Sequence, residues 1–317
     1  MGYYEELRDA AYPYNYVLDS ITLFITVSGI ILSSLVLYVA FKRPWRSFNI
    51  DLKLVTITLF SDLFTGFICL ANCLCNFFSV SAYLSSRAAC DVNAVLVLMP
   101  FMTSINLVGV VAVERALLVV FDKRLQEKYY YILTGGLAAI NIANALISLI
   151  YDAYTIQPST MYCLYDISRV PGRVSSILLL VSAFASLGMV YIGYVLIVFK
   201  KRQRERNIRN NLRHLNLAAQ HQPSSTSMKS LIIILVSSAT NLPYFSLVLV
   251  ALIDSSFWTP AIDTICTSLI MLNQVINTML VLLMRYDLSD GLKILLGLKD
   301  KNLDQSVPLG SNVSYQK

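Results

Sequence analysis

Seven stretches of this chain are apolar over a length that crosses a bilayer as a helix, and that pattern limits its fold more than any motif does. They cover roughly 17–41, 52–79, 88–121, 130–152, 173–199, 228–253 and 261–284. A helix rises about 1.5 Å per residue against a hydrocarbon core about 30 Å thick, so each run reaches from one face to the other. The expected fold class is therefore an all-α membrane protein, a seven-transmembrane helix bundle. Composition agrees: 56% of residues are hydrophobic, 14% are charged and the mean hydropathy is +0.62, too apolar for a water-facing surface.

An odd number of spans puts the two termini on opposite sides. Basic residues collect after spans one, three and five: Lys42, Arg43, Arg46 and Lys53, then Lys123, Arg124 and Lys128, then seven Lys and Arg residues over 200–213. The positive-inside rule places the N-terminus outside and the C-terminus in the cytosol of a multi-pass plasma-membrane protein. The net charge of +6 is thus a matter of topology, and nucleic acid is not an expected partner. The leader, 1–16, is tyrosine-rich and acidic without the basic start of a cleaved signal, so the first run reads as a retained anchor and the leader as an extracellular N-terminus. Residues 17–299 form the seven-helix domain and 300–317 a short cytoplasmic tail carrying Ser306, Ser311 and Ser314.

Beyond span seven, Leu288, Leu292, Leu295 and Leu296 repeat at helical spacing, which predicts a short amphipathic eighth helix over 287–297 lying on the lipid surface. The first part of the third basic loop, 200–217, reads as an extension of span five and as a lipid-attracted face, with a break over 220–226 at Pro223. The six cysteines form no CxxC pair and the two histidines, His214 and His221, lie in polar sequence, which disfavours a zinc site. Cys69, Cys73, Cys75 and Cys266 read as small apolar packers.

A charged side chain inside a span costs about 2.5–3.5 kcal/mol on insertion scales, so each one calls for a partner or a purpose. Asp62 lies mid-way along span two, Ser104 in span three, and Asn273 and Asn277 four apart on span seven. A carboxylate with a hydroxyl and two amides suits Na⁺ or a polar network that binds the helices together; spacing alone leaves both open. The same cluster would serve an ion-conducting or transporting protein. Paired catalytic groups at one depth are missing, so enzyme chemistry is not expected.

In this setting the sequence resembles the rhodopsin-like (class A) G-protein-coupled receptors along essentially its whole length. The resemblance rests on Glu114-Arg115 at the end of span three, Cys90 at its start, Cys163 in the loop after span four, Asp62 within Phe60-Ser61-Asp62-Leu63, and Ser104, Asn273 and Asn277. Thr240-Asn241-Leu242-Pro243-Tyr244 keeps the proline and aromatic of the sixth-helix motif, with Asn241 in place of its tryptophan. Ala116 and Val281 stand where that family carries tyrosines, and this divergence is similar to that of nematode chemosensory receptors.

The resemblance implies a Cys90–Cys163 disulfide, a heterotrimeric G protein as partner, and Na⁺ as an allosteric ion in place of any other cofactor or metal. It implies a guanidinium latch in which Arg115 pairs with Glu114 at rest and moves toward Tyr191 or Tyr194 on activation, with Pro243 as hinge and Asn277 in the switching path. With no acidic partner near 223–229, a loosely held resting state with basal signalling is expected. Helical facing assigns the ligand cavity to Val97, Phe101, Met102, Asn241, Tyr244, Phe245 and Met271. An aspartate holds the Val97 position in amine receptors and a lysine the Met271 position in visual pigments, so a small neutral or lipophilic ligand, or a short peptide, is expected in place of an amine or retinal.

Overall fold

The computed structural model describes residues 3–78, 84, 86–214 and 225–299. Seven helical segments have the length and apolarity to cross a membrane, matching the seven runs. A short leader helix, α1 (Tyr3–Ala10), precedes α2 (Tyr14–Ala40), α3 (Ile50–Phe77), α4 (Arg87–Phe121), α5 (Glu127–Ile150), α6 (Val170–His214) and α7 (Ser225–Ile253). The seventh span is two helices, α8 (Pro260–Met271) and α9 (Asn273–Met284), separated at Leu272, and α10 (Tyr286–Leu295) follows it. Local chemistry sets several starts. Ser86 accepts the Ala89 N–H at the head of α4, and Thr259 accepts the Ile262 N–H ahead of Pro260 at the head of α8.

α4 is the central helix, its apolar window 67% buried against 22% for the peripheral α5. It packs against α3, α5 and α6. Glycines allow the α4–α6 approach: a Cβ on Gly109 would stand 3.0 Å from the Ser186 carbonyl oxygen, and one on Gly193 2.9 Å from that of Ala112. Such close backbone contact is how membrane helices gain dispersion energy where lipid supplies no hydrophobic drive. The outer faces carry exposed apolar side chains such as Ile132, Ile140, Leu146 and Ile150.

Between α5 and α6 the chain forms an antiparallel hairpin of β1 (Tyr154–Ile156) and β2 (Cys163–Tyr165), with Ile156 opposite Cys163 and Tyr154 opposite Tyr165. The Cys90–Cys163 disulfide ties this hairpin to the first turn of α4. This defines a disulfide end of the bundle and, some 25 residues along α4, an Arg115 end.

α6 runs past the expected end at 199 as one helix to His214, a continuation the charge pattern of 200–217 had indicated. α10 does not rest on lipid alone: Leu288 and Leu292 are buried in the same cluster as Val36 and Val39 of α2, and Gly291 leaves room for the Val39 side chain. Cys69, Cys73, Cys75 and Cys266 are free thiols, all but Cys75 buried. Pro223, His221 and the tail serines Ser306, Ser311 and Ser314 lie outside the described residues.

Candidate functional site

Side chains that carry chemistry gather at three depths along α4. At the disulfide end lies an apolar pocket lined by Val97, Phe101, Leu164, Leu179, Tyr244, Phe245, Ile270 and Met271. Five of the seven expected cavity residues are among its lining. Met102 is instead packed in the core and Asn241 lies deeper, so neither lines this pocket. The space left is only ≈ 30 Å³, about one water, whereas ligand pockets run to hundreds of Å³. The reason is Tyr162, which the hairpin pushes into the bundle.

The Tyr162 hydroxyl reaches Asp263 Oδ1 at 2.8 Å, Thr267 Oγ1 at 3.1 Å and the Tyr244 hydroxyl at 3.2 Å. Donor accounting assigns the protons. Asp263 can only accept, so Tyr162 and Thr267 both donate to it, and Tyr244 donates to Tyr162. The Ser159 N–H completes the carboxylate's partners at 3.2 Å from Oδ2. Burial and then the charge of Asp263 push the Tyr162 pKa well above the usual phenol range, which keeps it a donor. Asp263 is thus a fully buried carboxylate directly behind the pocket wall. Its sequence signal was a lone charge in the seventh run, open to the same insertion-cost argument that singled out Asp62.

At mid-depth the expected four-residue polar cluster is split in two. Asn277 Nδ2 donates to Asp62 Oδ2 at 3.2 Å and to Ser104 Oγ at 3.3 Å, which joins α3, α4 and α9. Asn273 is not part of this group. Asn273 lies on the same face of α9 one turn away from Asn277, at the depth of α7's polar pair: it donates to Asn241 Oδ1 at 2.8 Å and accepts from Thr240 Oγ1 at 2.9 Å. Pro243 leaves the Ala239 carbonyl without its helical donor. Next to that gap, Asn241 Nδ2 donates to the Ser237 carbonyl at 2.9 Å. The amide at the position of the family's tryptophan is thus a clasp between the α7 hinge and the α8–α9 break. For Na⁺, Asp62 and Ser104 offer hard oxygens of the right chemistry, while Asn277 presents its N–H₂ to them.

At the far end Arg115 faces a cavity of ≈ 530 Å³ shared with Asp51, Glu114, Tyr194 and Arg285. Glu114 is not its partner. Arg115 instead forks onto Asp51, in the first turn of α3, through Nε at 3.2 Å and Nη2 at 3.0 and 3.1 Å. Asp51 also accepts from Arg285 at 2.8 Å, and Arg285 grips Asp287 at 3.1 Å through two nitrogens. Arg43 adds a bond to Asp287 at 3.2 Å. Burial opposes charge on Asp287, but the hydrogen bonds and charge of Arg285, with Arg43, outweigh it and hold its pKa below the ordinary value. Tyr194 stands in the cavity as expected, whereas Tyr191 is bonded to Ser238 of α7 at 2.9 Å and does not line it.

α7 has its own hold at this end, though not an acidic one. Lys229 Nζ lies 2.6 Å from the Leu283 carbonyl and 2.6 Å from the Tyr286 hydroxyl, at the C-terminus of α9 where helix carbonyls favour a cation. Asp51 and Lys229 escaped the sequence reading because both sit at span ends, where charge is ordinary. Among the described residues no group of three or more His, Cys, Asp or Glu side chains is arranged to hold a metal ion.

No protein-family model and no curated protein matches the sequence. Among solved structures, squid rhodopsin superposes with a TM-score of 0.71 at 15% identity, covering 94% of this chain and 93% of that one. This chain is a multi-pass membrane protein with the seven-helix rhodopsin-like fold.

Proposed function

We propose that this protein is a G-protein-coupled receptor that takes a ligand at the disulfide end and engages a heterotrimeric G protein at the Arg115 end. The observation that carries the reading is Arg115 itself, a guanidinium clasped by Asp51 at the edge of a ≈ 530 Å³ cavity, on a helix whose other end borders a capped apolar pocket. Basic residues at the Arg115 end put that end in the cytosol of a plasma-membrane protein, with the N-terminus and disulfide outside. The role proposed is chemosensory toward a small ligand, because the pocket at the disulfide end is lined by aliphatic and aromatic groups.

Signalling is a population shift. A ligand between α4, α7 and α8 favours a state in which α7 bends at Pro243, Lys229 leaves the end of α9, and Arg115 exchanges Asp51 for the partner. Na⁺ at Asp62, Ser104 and Asn277 would tie α3, α4 and α9 together and favour the resting state. Membrane lipids contact the apolar flanks and the basic face of α6. The test is G-protein activation by wild type and Arg115→Ala, expressed equally at the surface, against a panel of small molecules. Loss of response in Arg115→Ala is expected; equal responses would refute the coupling role.

A further inference from the structure

We propose that Asp263 is the anchor for a ligand's protonated amine, which takes the place that the Tyr162 hydroxyl holds in this structure. The inference deepens the receptor reading above and rests on it for the site's purpose. The starting point is an imbalance. Asp263 is fully buried, and among the described residues no Lys, Arg or His forms an ion pair with it. Its partners are three neutral donors, from Tyr162, Thr267 and Ser159. Buried carboxylates are ordinarily met by a cation. The Ser159 hydroxyl beside it is itself buried without a hydrogen-bond partner.

An ammonium group carries three N–H donors and no acceptor. At the Tyr162 hydroxyl position it would find three oxygens, those of Asp263, Thr267 and Tyr244, at the distances the phenol oxygen already keeps, 2.8, 3.1 and 3.2 Å. Its apolar body would lie where the Tyr162 ring lies, against Phe101, Phe245 and Ile270.

Competition decides the ligand class. Tyr162 is tethered by the hairpin and the Cys90–Cys163 disulfide, so its phenol is present at an effective concentration of roughly millimolar or more. A neutral hydroxyl exchanges like for like and loses to that tether. The Tyr162–Asp263 bond has one charged partner; an ammonium makes both partners charged and adds a Coulomb attraction that the phenol lacks, which is the margin available to displace it. The carboxylate absent at Val97 on α4 is thus supplied from α8, one turn into the helix.

The experiment measures thermal stabilisation of the full-length purified protein by 2-phenylethylamine and n-octylamine, with 4-ethylphenol and 1-octanol as neutral controls. Expected is stabilisation by the amines alone, with apparent affinity about 100-fold or more weaker in Asp263→Asn. In Tyr162→Phe, which lacks the competing hydroxyl, amine affinity should be about tenfold tighter. Failure of both amines to stabilise either wild type or Tyr162→Phe overturns the proposal, as does an Asp263→Asn protein that responds like wild type. If Asp263→Asn does not fold, Tyr162→Phe decides: tighter amine binding supports the anchor and unchanged binding overturns it. The readout needs no G protein, so amine binding without G-protein activation would refute the receptor reading and leave the anchor standing.

Discussion

Replacing Asp51 by Asn should release Arg115 and raise signalling without ligand. Asp51 accepts three contacts from Arg115 and one from Arg285, and the three side chains are only 14–17% exposed. Asparagine keeps an oxygen acceptor but loses the charge. Fully buried pairs cost about 3–5 kcal/mol when one partner is removed and exposed pairs about 0–1, so this half-sheltered pair is worth about 2 kcal/mol. That is about 30-fold in the ratio of active to resting forms. From an active fraction of about 1%, a typical minor state, the variant would reach about a quarter. The assay is ligand-free second-messenger accumulation at matched surface expression, with Arg115→Ala as the silent control. If Asp51→Asn signals no more than wild type, Asp51 is not the resting latch. The clasp ties α4 to α3 and not to α7, so the ligand-free output of wild type in the same assay also tests the expected basal signalling.

Lys229→Met should also raise ligand-free signalling, by removing the only charged tie from α7 to the end of α9 among the described residues; unchanged basal output would count against it. Cys90→Ser should lower thermal stability by about 2–4 kcal/mol, read from detergent melts with and without reductant, because the bridge closes a long loop. Gly193→Ala should cost about 1–3 kcal/mol in the same melts, since its Cβ would meet the Ala112 carbonyl. Asp287 has a depressed pKa in the folded protein, so its hold on Arg285 is fully present above the ordinary carboxylate value of about 3.9 and is lost as pH falls through the lower folded value. The protection factors for hydrogen exchange at the start of α10, corrected for the intrinsic pH dependence, should therefore be flat at neutral pH and fall only in that acid window.

Much of the architecture was legible because membrane insertion writes itself into composition. A span must be continuous and apolar, so length and hydropathy mark all seven, and Cys90 with Cys163 marks the hairpin tether. Boundaries moved by a few residues where polar side chains begin a helix, as at Tyr14, while the basic stretch after 199 continues α6 to His214. The site was half legible. Asp62, Ser104, Asn277 and most of the pocket were visible from depth and facing, yet Asn273, one turn along the same face, bonds to Thr240 and Asn241 of α7, partners that only packing brings opposite it.

Sequence alone determined that this protein crosses a membrane seven times, where its charged ends lie and which polar groups are buried at a cost. Only tertiary structure decided who answers whom: Arg115 to Asp51 across 64 positions, Tyr162 to Asp263 across 101, Lys229 to Tyr286 across 57. The physical reason is one of range. Solvation acts on each residue by itself and is read locally, whereas ion pairs and hydrogen bonds require a partner within about 3 Å, and helix packing alone brings such partners together.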